Sequence, residues 1–272
     1  MKKTKSKKGV FFCGIDLSAS PKHTGLCVLT MTEGKLKAIA KPIEGNFRAK
    51  EWTDESINCL VEFFKSKGIF EHPCNEIVLA IDVPFGWPTS FAEALENFRI
   101  GGSTGDKWGT RLGRQKLRFR QTDLFVWGKL RKSTLSVSTD RLGITAMAGA
   151  AIISELARRL RFSVDLSGAN LSARRRIIEV YPIGSARSFL DSRRSSQPPK
   201  NSFARERMLL LRNFHGGAHA RDALLCALTA KSYYDRQCYF PSELGREHQG
   251  QIKKEGWIWL PRTGGMAQTF LS

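Results

Sequence analysis

Four acidic residues of this chain lie at the ends of apolar segments, where a charge is costly to bury. Asp16 and Asp82 each close an apolar run, Glu179 interrupts another, and Asp222 opens an apolar helical run. Acidic side chains are seldom fully buried unless they are paired or bind a metal. The positions therefore predict one acidic pocket that holds divalent cations.

The expected ion at this pocket is Mg²⁺ or Mn²⁺, because hard cations prefer oxygen ligands. Without a cation, neighbouring carboxylates would repel one another and some would hold protons. Two ions about 4 Å apart could activate a water molecule and stabilise the leaving oxygen in phosphodiester cleavage. Asp16, Asp82, Glu179 and Asp222 are accordingly predicted as metal ligands and as catalytic residues, with two ions bound.

Each of these acids also has a purely structural explanation. Asp16 could accept backbone N–H groups of the following turn, and Asp82 could cap a turn. Glu179 could pair with an arginine such as Arg175. Asp222 lies in the first turn of a helix, where an acid is favourable in any case.

Three further residues near the acids are candidates for substrate binding. Ser18 and Lys22 follow Asp16 closely and could bind phosphate in a turn. His219 lies three residues before Asp222 and so shares its helix face. It could relay protons or orient that acid, although a solvent-facing histidine fits the pattern equally well.

The elements that must position these residues alternate in type along the chain. Strands are predicted at 9–17, 25–32, 35–43, 76–83 and 175–181, with turn signals between the first three. Helices are predicted at 54–67, 89–100, 144–161, 203–213 and 218–235, with a Gly- and Arg-rich loop or mobile insertion at 101–118. The run 256–261 predicts a short strand or a packing tail.

This order predicts an α/β protein with a ribonuclease H-like fold, in which a five-stranded mixed sheet is flanked by helices. In that layout the first strand is central and the fourth lies beside it, so Asp16 and Asp82 would be neighbours at the sheet edge. Residues 1–8 are predicted as a disordered basic tail, and 9–262 as one domain with a basic insertion at about 85–143.

Positive charge is concentrated in a few segments of the chain. The formal net charge is +19. Residues 1–8 contain five lysines and no acid, 99–132 contain ten Lys/Arg and two acids, and 158–212 contain thirteen and four. Clustered charge of this kind is typical of polyanion binding, so nucleic acid, either DNA or RNA, is the predicted partner. A solvated basic surface is the alternative.

The segment 99–132 also interleaves arginine with aromatic residues, which suits phosphates and stacked bases. Its arginines are Arg111, Arg114, Arg118 and Arg120, and its aromatics are Trp108, Phe119, Phe125 and Trp127. Arg120 could contact phosphate or simply lie on the surface. Asp123 could belong to the site, cap a helix or pair with Arg120.

Composition excludes several other classes of protein. No run of about 18 apolar residues is present, so no membrane span is expected. The six cysteines form no CxxC motif, which argues against structural zinc and favours a reduced, cytoplasmic protein. A P-loop sequence and a G-x-S-x-G elbow are both missing from the chain. No protein partner can be identified from the sequence.

The chain resembles the domain-of-unknown-function 429 family, whose members are predicted ribonuclease H-like nucleases. The matching motifs are residues 14–16, 80–86, 120–123, 179–182 and 219–224, which together extend over roughly 11–230. The resemblance implies a ribonuclease H-like fold and an acidic site at Asp16, Asp82, Glu179 and Asp222. The basic insertion and the lysine-rich tail lie outside these motifs.

The leading hypothesis is a metal-dependent nuclease that cleaves phosphodiester bonds through these four acids. A catalytically inactive nucleic-acid-binding protein with the same fold is the first alternative. A nucleotide phosphotransferase is the second, because sugar-kinase and actin-like folds share this topology. The lack of a duplicated second half argues against it.

Overall fold

A computed structural model describes residues 8–44, 49–100, 108–140, 142–191 and 202–262. Six strands form one sheet: β1 (Val10–Asp16), β2 (Gly25–Thr32), β3 (Lys35–Glu44), β4 (Glu76–Asp82), β5 (Ser163–Val164) and β6 (Arg175–Glu179). The helices are α1 (Asp54–Ser66), α2 (Thr89–Arg99), α3 (Arg111–Arg118), α4 (Gln121–Leu130), α5 (Leu142–Leu160), α6 (Pro182–Asp191), α7 (Ser202–Arg212), α8 (Ala218–Tyr234) and α9 (Gln249–Glu255). Short 3-10 turns occur at Pro21–His23, Pro241–Leu244 and Arg246–His248.

The sheet is mixed, with the order β3-β2-β1-β4-β6-β5. The first three strands form an antiparallel meander, and β4 then pairs with β1 in parallel. Strands β6 and β5 continue the parallel half. The predicted α/β class, the mixed sheet and the central position of β1 are therefore confirmed.

The central strands are buried on both faces, which explains their continuous apolar runs. On one face Phe12 and Val78 pack with α8 and with Trp257 and Trp259 near the end of the described chain. On the other face α1 and α5 pack on side chains such as Ile15. Because strand side chains alternate between faces, each apolar residue is committed to one of these two cores.

Helix α8 packs directly on the sheet because two glycines leave room for its backbone. A Cβ atom on Gly14 of β1 would overlap the carbonyl oxygen of Ala223, and one on Gly25 of β2 would overlap that of His219. The helix is buried along most of its length, from Ala220 to Tyr233. This close contact fixes the residues of the first turn of α8 beside the carboxyl end of β1.

The predicted elements agree with the structure within two residues, with three differences. The sheet has six strands rather than five, because the two-residue strand β5 is too short to leave a pattern. Part of the segment predicted as a loop at 101–118 is helix α3. Thr110 caps the start of this helix, and its side chain accepts a hydrogen bond from the Gly113 N–H (3.0 Å). Helices α4, α6 and α9 were not predicted.

Other predictions concern residues 1–7 and 101–107, which lie outside the described residues. The run 256–261 is a packing tail, with Trp257 and Trp259 fully buried and isolated bridges from Ile258 to Glu179 and from Pro261 to Cys238. Over the described ranges, no helix combines the length and the apolar character needed to cross a membrane.

Candidate active site

Asp16 and Asp82 lie side by side at the carboxyl ends of β1 and β4. The parallel register pairs Asp16 directly with Asp82. Their side chains share a face with Phe12 and Val78, because residues two apart in a strand point the same way. Both carboxylates therefore point toward the face of the sheet that α8 covers.

The first turn of α8 brings His219 and Asp222 to the same place. His219 Nδ1 lies 2.7 Å from Asp16 Oδ2, and its ring is partly exposed. Asp222 lies one turn further along the helix and is partly buried. The structure thus joins Asp16, Asp82, Asp222 and His219 in one cluster, which we call the aspartate cluster.

Burial and mutual repulsion shift the ionisation of these acids. The pKa of Asp82 is raised well above the ordinary aspartate value, chiefly by burial and then by the charges of Asp16 and Asp222. Burial is also the main cause of the raised pKa of Asp16, which the hydrogen bond from His219 partly offsets. Burial likewise raises the pKa of Asp222. Every neighbouring charge thus raises the pKa of Asp82, whereas the charges of Arg221 and His219 partly offset the rise at Asp222.

A buried cysteine lies beneath the aspartate cluster and was not predicted to be near it. The Cys226 thiol donates a hydrogen bond to the Ile15 carbonyl (3.4 Å). Burial raises its pKa, and so do the charges of Asp82 and Asp16. The thiol is therefore a neutral wall of the site. Cys226 follows Asp222 by four residues, so the two share a face of α8, and this spacing in the sequence could have indicated that Cys226 is near the site.

Glu179 does not join the aspartate cluster, because its register in β6 and the face of the sheet that its side chain occupies both differ. It pairs with Ile81 rather than with Asp82. Its side chain lies on the same face of the sheet as that of Ile177, which is the face packed against α1 and α5 and not the face covered by α8. Its Oε2 atom accepts a hydrogen bond from the Phe85 N–H (2.9 Å). Burial raises the pKa of Glu179, and the charge of Arg120 opposes that rise.

Arg120 holds Glu179 and Asp123 in a buried ion pair, so it is neither the phosphate contact nor the surface arginine that the sequence predicts. Its Nε donates to Asp123 Oδ2 (3.0 Å) and its Nη2 to Asp123 Oδ1 (3.1 Å) and Glu179 Oε1 (2.6 Å). Its Nη1 donates to Glu179 Oε2 (2.9 Å) and to the Glu255 carbonyl (3.1 Å). These bonds use all five guanidinium donors, so none remains for a ligand.

Asp123 serves both of the structural roles considered for it. Its carboxylate pairs with Arg120 and also accepts the Arg120 backbone N–H (3.0 Å), which caps the start of α4. Asp123, Arg120 and Glu179 are each about 2% exposed. Glu179 therefore pairs with an arginine, as its structural explanation predicts, but the partner is Arg120 rather than Arg175.

The donor chemistry of the aspartate cluster fits a hard cation, although the ligands are not fully converged. Among the residues that the structure describes, no three His, Cys, Asp or Glu side chains are grouped closely enough to hold one metal ion. Mg²⁺, however, is usually bound by one or two carboxylates together with water and substrate phosphate. Asp16 and Asp82 provide such a pair, and Asp222 is a third acid whose charge acts on Asp82.

Ser18 and Lys22 lie in the turn that follows β1. The Ser18 hydroxyl accepts a hydrogen bond from the Ser20 N–H (3.3 Å), and Lys22 is exposed on the 3-10 turn. The ring of His23 lies 6.0 Å from that of His219, centre to centre. The turn therefore borders the aspartate cluster through His23, and Lys22 is exposed on the same turn.

Five of the eight arginine and aromatic residues predicted to contact nucleic acid line one surface groove, whereas Arg120 and Phe125 are buried and Trp108 packs against Phe98. Arg111, Arg114, Gln115, Arg118, Phe119 and Trp127 line a cavity of about 370 Å³, which we call the arginine groove. Arg118 lies over the Phe119 ring, and Trp127 is substantially exposed. None of the three arginines has a carboxylate partner among the described residues.

Comparison with known proteins identifies a family but no activity. No curated protein and no solved structure matches the chain. One family model, described as "Protein of unknown function (DUF429)", matches residues 14–245 and so includes the whole aspartate cluster. The chain therefore belongs to the domain-of-unknown-function 429 family, as the motifs around Asp16, Asp82 and Asp222 predict.

Proposed function

We propose that this protein is a metal-dependent nuclease that cleaves phosphodiester bonds at the aspartate cluster. The observation that carries the proposal is the direct pairing of Asp16 with Asp82 at the ends of neighbouring parallel strands, with Asp222 beside them. Neighbouring acids at the carboxyl ends of parallel strands are a typical cation site in an α/β protein. We assign Mg²⁺ or Mn²⁺ to it, as one ion or two.

The same proposal includes a ribonuclease H-like fold. Its support is the order of the sheet, with an antiparallel meander of three strands followed by parallel strands on the other side of β1. This is the order that the family resemblance implies. It places the first and fourth strands together, so one acid from each can serve the same phosphate.

The roles of the chain's own residues follow from their contacts. Asp16 and Asp82 hold the cation, and Asp222 completes the acidic surface around it. His219 is held by Asp16 through Nδ1, and its Nε2 has no partner within the described part of the chain, so it can accept a proton. Glu179 is not a ligand in this account, because Arg120 occupies both of its oxygens.

Hydrolysis at this site consumes one water molecule. The water oxygen bonds to phosphorus, the bond from phosphorus to one sugar oxygen breaks, and the products are a phosphate monoester end and a hydroxyl end. One proton of the water passes to His219 or to solvent, and the departing oxygen takes up a proton. When bound, Mg²⁺ or Mn²⁺ supplies positive charge that offsets the charge developing on the phosphate oxygens.

The arginine groove supports nucleic acid, as DNA or RNA, as the substrate. Its three arginines can bind successive phosphates, and Trp127 offers a stacking face to an unpaired base. Ser18 and Lys22 could add a phosphate contact on the other side of the cluster.

The test is cleavage of labelled single-stranded and duplex DNA and RNA with Mg²⁺ or Mn²⁺. We expect the wild-type protein to cut at least one substrate and Asp16→Asn and Asp82→Asn to lose about 100-fold or more, the scale of losing a main charge-stabilising group. Asp54→Asn, at an exposed position in α1, is the matched control and should cut normally. An inert wild type, or an equally active Asp16→Asn, would show that the proposal is wrong.

The non-catalytic alternative predicts a different result in the same samples. It requires nucleic acid to bind with a steep salt dependence while divalent cations do not bind. Calorimetric titration with Mn²⁺ and then with an oligonucleotide separates the two functions. Stabilisation of the protein by nucleoside triphosphates without any cleavage would instead favour the phosphotransferase.

A further inference from the structure

A second cavity opens beside Asp82, on the side away from Asp16. Its volume is about 350 Å³, within the range of small-molecule sites. Its walls come from the ends of β4 and β6, the loop at 132–135, and the starts of α5 and α6. Because Asp82 lines it, the cavity adjoins the aspartate cluster.

The walls of this cavity are mostly apolar. They include Val83, Leu142, Val180 and Ile258, and the ring of Tyr181. Two more apolar residues stand at its mouth and are largely exposed, Leu135 at 63% and Ile183 at 45%. Exposed aliphatic side chains around a cavity with mostly apolar walls are typical of a binding site for a flat or apolar group.

A few polar groups are set into these apolar walls. The Thr134 side chain is buried, and its hydroxyl has no hydrogen-bond partner among the described residues. An unpaired buried hydroxyl costs stability, which a ligand atom could recover. The charge of Asp82 acts on the Tyr181 hydroxyl, and Lys132 lies on the same wall. The floor is the rigid ion pair of Arg120 and Glu179.

The cavity is also connected to the arginine groove through one loop. The Ser136 hydroxyl donates to the Arg118 carbonyl (2.7 Å), and Arg118 Nε donates to Thr139 Oγ1 (3.2 Å). The loop that forms one wall of the cavity is therefore tied to the helix that forms the groove.

From these observations we infer that the cavity beside Asp82 binds a nucleobase of the nucleic acid whose phosphate lies at the aspartate cluster. A base has flat apolar faces for the walls and polar edges for Thr134 and Tyr181. A purely aliphatic ligand would leave the Thr134 hydroxyl unpaired, and a sugar would leave the apolar walls uncovered. The inference rests on the proposed nuclease function for the identity of the polymer.

A base can enter such a cavity only when it is outside a duplex stack. The inference therefore names the substrate class as single-stranded nucleic acid or a duplex with an unpaired base. Fully paired duplex should bind in the arginine groove without occupying the cavity. Binding of a base in the cavity, and not the aspartate cluster, would then give the protein its preference for unpaired strands.

The test is calorimetric binding of the four ribonucleoside 5′-monophosphates, with ribose 5-phosphate as the probe that lacks a base. We expect at least one nucleotide to bind about tenfold or more tightly than ribose 5-phosphate. Thr134→Val should weaken that nucleotide about threefold to tenfold, the effect of one hydrogen bond. Ile183→Trp, which fills the mouth, should abolish binding. Ile144→Trp is the matched control, since Ile144 is 67% exposed and does not line the cavity.

The outcomes separate this inference from the nuclease proposal. Selective nucleotide binding that Ile183→Trp removes supports the cavity even if no variant cuts any substrate. Equal binding of ribose 5-phosphate and the nucleotides, or nucleotide binding that Ile183→Trp leaves intact, would overturn it even if the wild type is an active nuclease. The Ile183→Trp result decides the matter should Thr134→Val fail to fold.

Discussion

At the scale of single residues, the molecule separates its acids into two sets by how they are neutralised. Glu179 and Asp123 share Arg120, and this buried ion pair is complete in itself. Among the described residues, neither Asp16 nor Asp82 has an arginine or lysine partner, the only basic side chain that Asp16 contacts is that of His219, and the pKa values of both acids are raised. Only the second set has a reason to bind an ion from solution.

The raised pKa of Asp82 predicts that Asp82→Asn stabilises the protein at pH 7 in metal-free buffer. A protonated Asp82 contributes stability that is fully present below the ordinary aspartate pKa and lost as the pH rises through the folded pKa. The variant cannot ionise, so we expect a gain of about 0.5–2 kcal/mol in the free energy of unfolding. The gain should fade toward the ordinary aspartate pKa of about 3.9.

Urea denaturation across this pH range measures the effect. Asp54→Asn is the matched comparison and should lose a little stability, because an acid in the first turn of α1 is favourable. A destabilised Asp82→Asn at pH 7 would contradict the claim that Asp82 is an uncompensated charge.

The second residue-scale prediction concerns Arg120. Replacing it by methionine would leave Glu179 and Asp123 buried without their partner, so Arg120→Met should lose about 3–5 kcal/mol of folding stability. Arg111→Met, at an exposed position of α3, should change stability by no more than about 0.5 kcal/mol. Chemical denaturation of both variants is the measurement, and equal stabilities would refute the structural role of Arg120.

At the scale of elements, helix α8 determines the geometry of the site. Two glycines in β1 and β2 allow its backbone to lie against the sheet, and this contact places His219 and Asp222 next to Asp16. Any side chain at these glycines would displace the helix from the strands. The site is therefore as much a product of the glycines as of the acids.

We accordingly predict that Gly14→Ala lowers both stability and metal binding. The added Cβ would collide with the backbone of α8, and overpacking of this kind costs about 1–3 kcal/mol or more. Gly128→Ala is the matched control, because a Cβ there has open space on helix α4 and should stabilise by about 0.5–1 kcal/mol. Thermal unfolding distinguishes the two, and a tolerated Gly14→Ala would contradict the packing argument.

Strand patterns make part of this arrangement predictable from sequence. Continuous apolar runs that end in Asp16 and Asp82 indicate buried strands, and the predicted order of elements places the fourth strand beside the first. The position of Glu179 depends on register and alternation in β6, which a five-residue strand does not reveal. Its partner Arg120 is 59 residues away, and such a pairing depends on tertiary structure that local patterns do not encode.

At the scale of the whole molecule, the acidic centre contrasts with a strongly basic chain. The net charge is +19, and the arginine groove gathers three arginines beside two aromatic rings, with no carboxylate partner for these arginines among the described residues. Long-range attraction would concentrate a polyanion near the protein, and the groove would then position it. Charge composition predicts this attraction, whereas the groove itself depends on helices α3 and α4, which were not predicted.

The corresponding prediction is that the groove sets the salt dependence of nucleic-acid binding. Each of Arg111→Gln, Arg114→Gln and Arg118→Gln should reduce the slope of log affinity against log salt concentration by about 1. Arg158→Gln is the control, because Arg158 is exposed but already paired with Glu155. Fluorescence anisotropy with a labelled oligonucleotide over a range of salt measures the slope. Unchanged slopes for the groove variants would place the polyanion elsewhere.

The central claim is that Asp16 and Asp82 together bind a divalent cation, and Mn²⁺ titration by calorimetry tests it most directly. We predict saturable binding to the wild-type protein, binding weakened at least about tenfold in Asp16→Asn and Asp82→Asn by the loss of a ligand charge, and unchanged binding in Asp54→Asn. Absence of Mn²⁺ binding by the wild type, or equal binding by Asp82→Asn, would contradict the account.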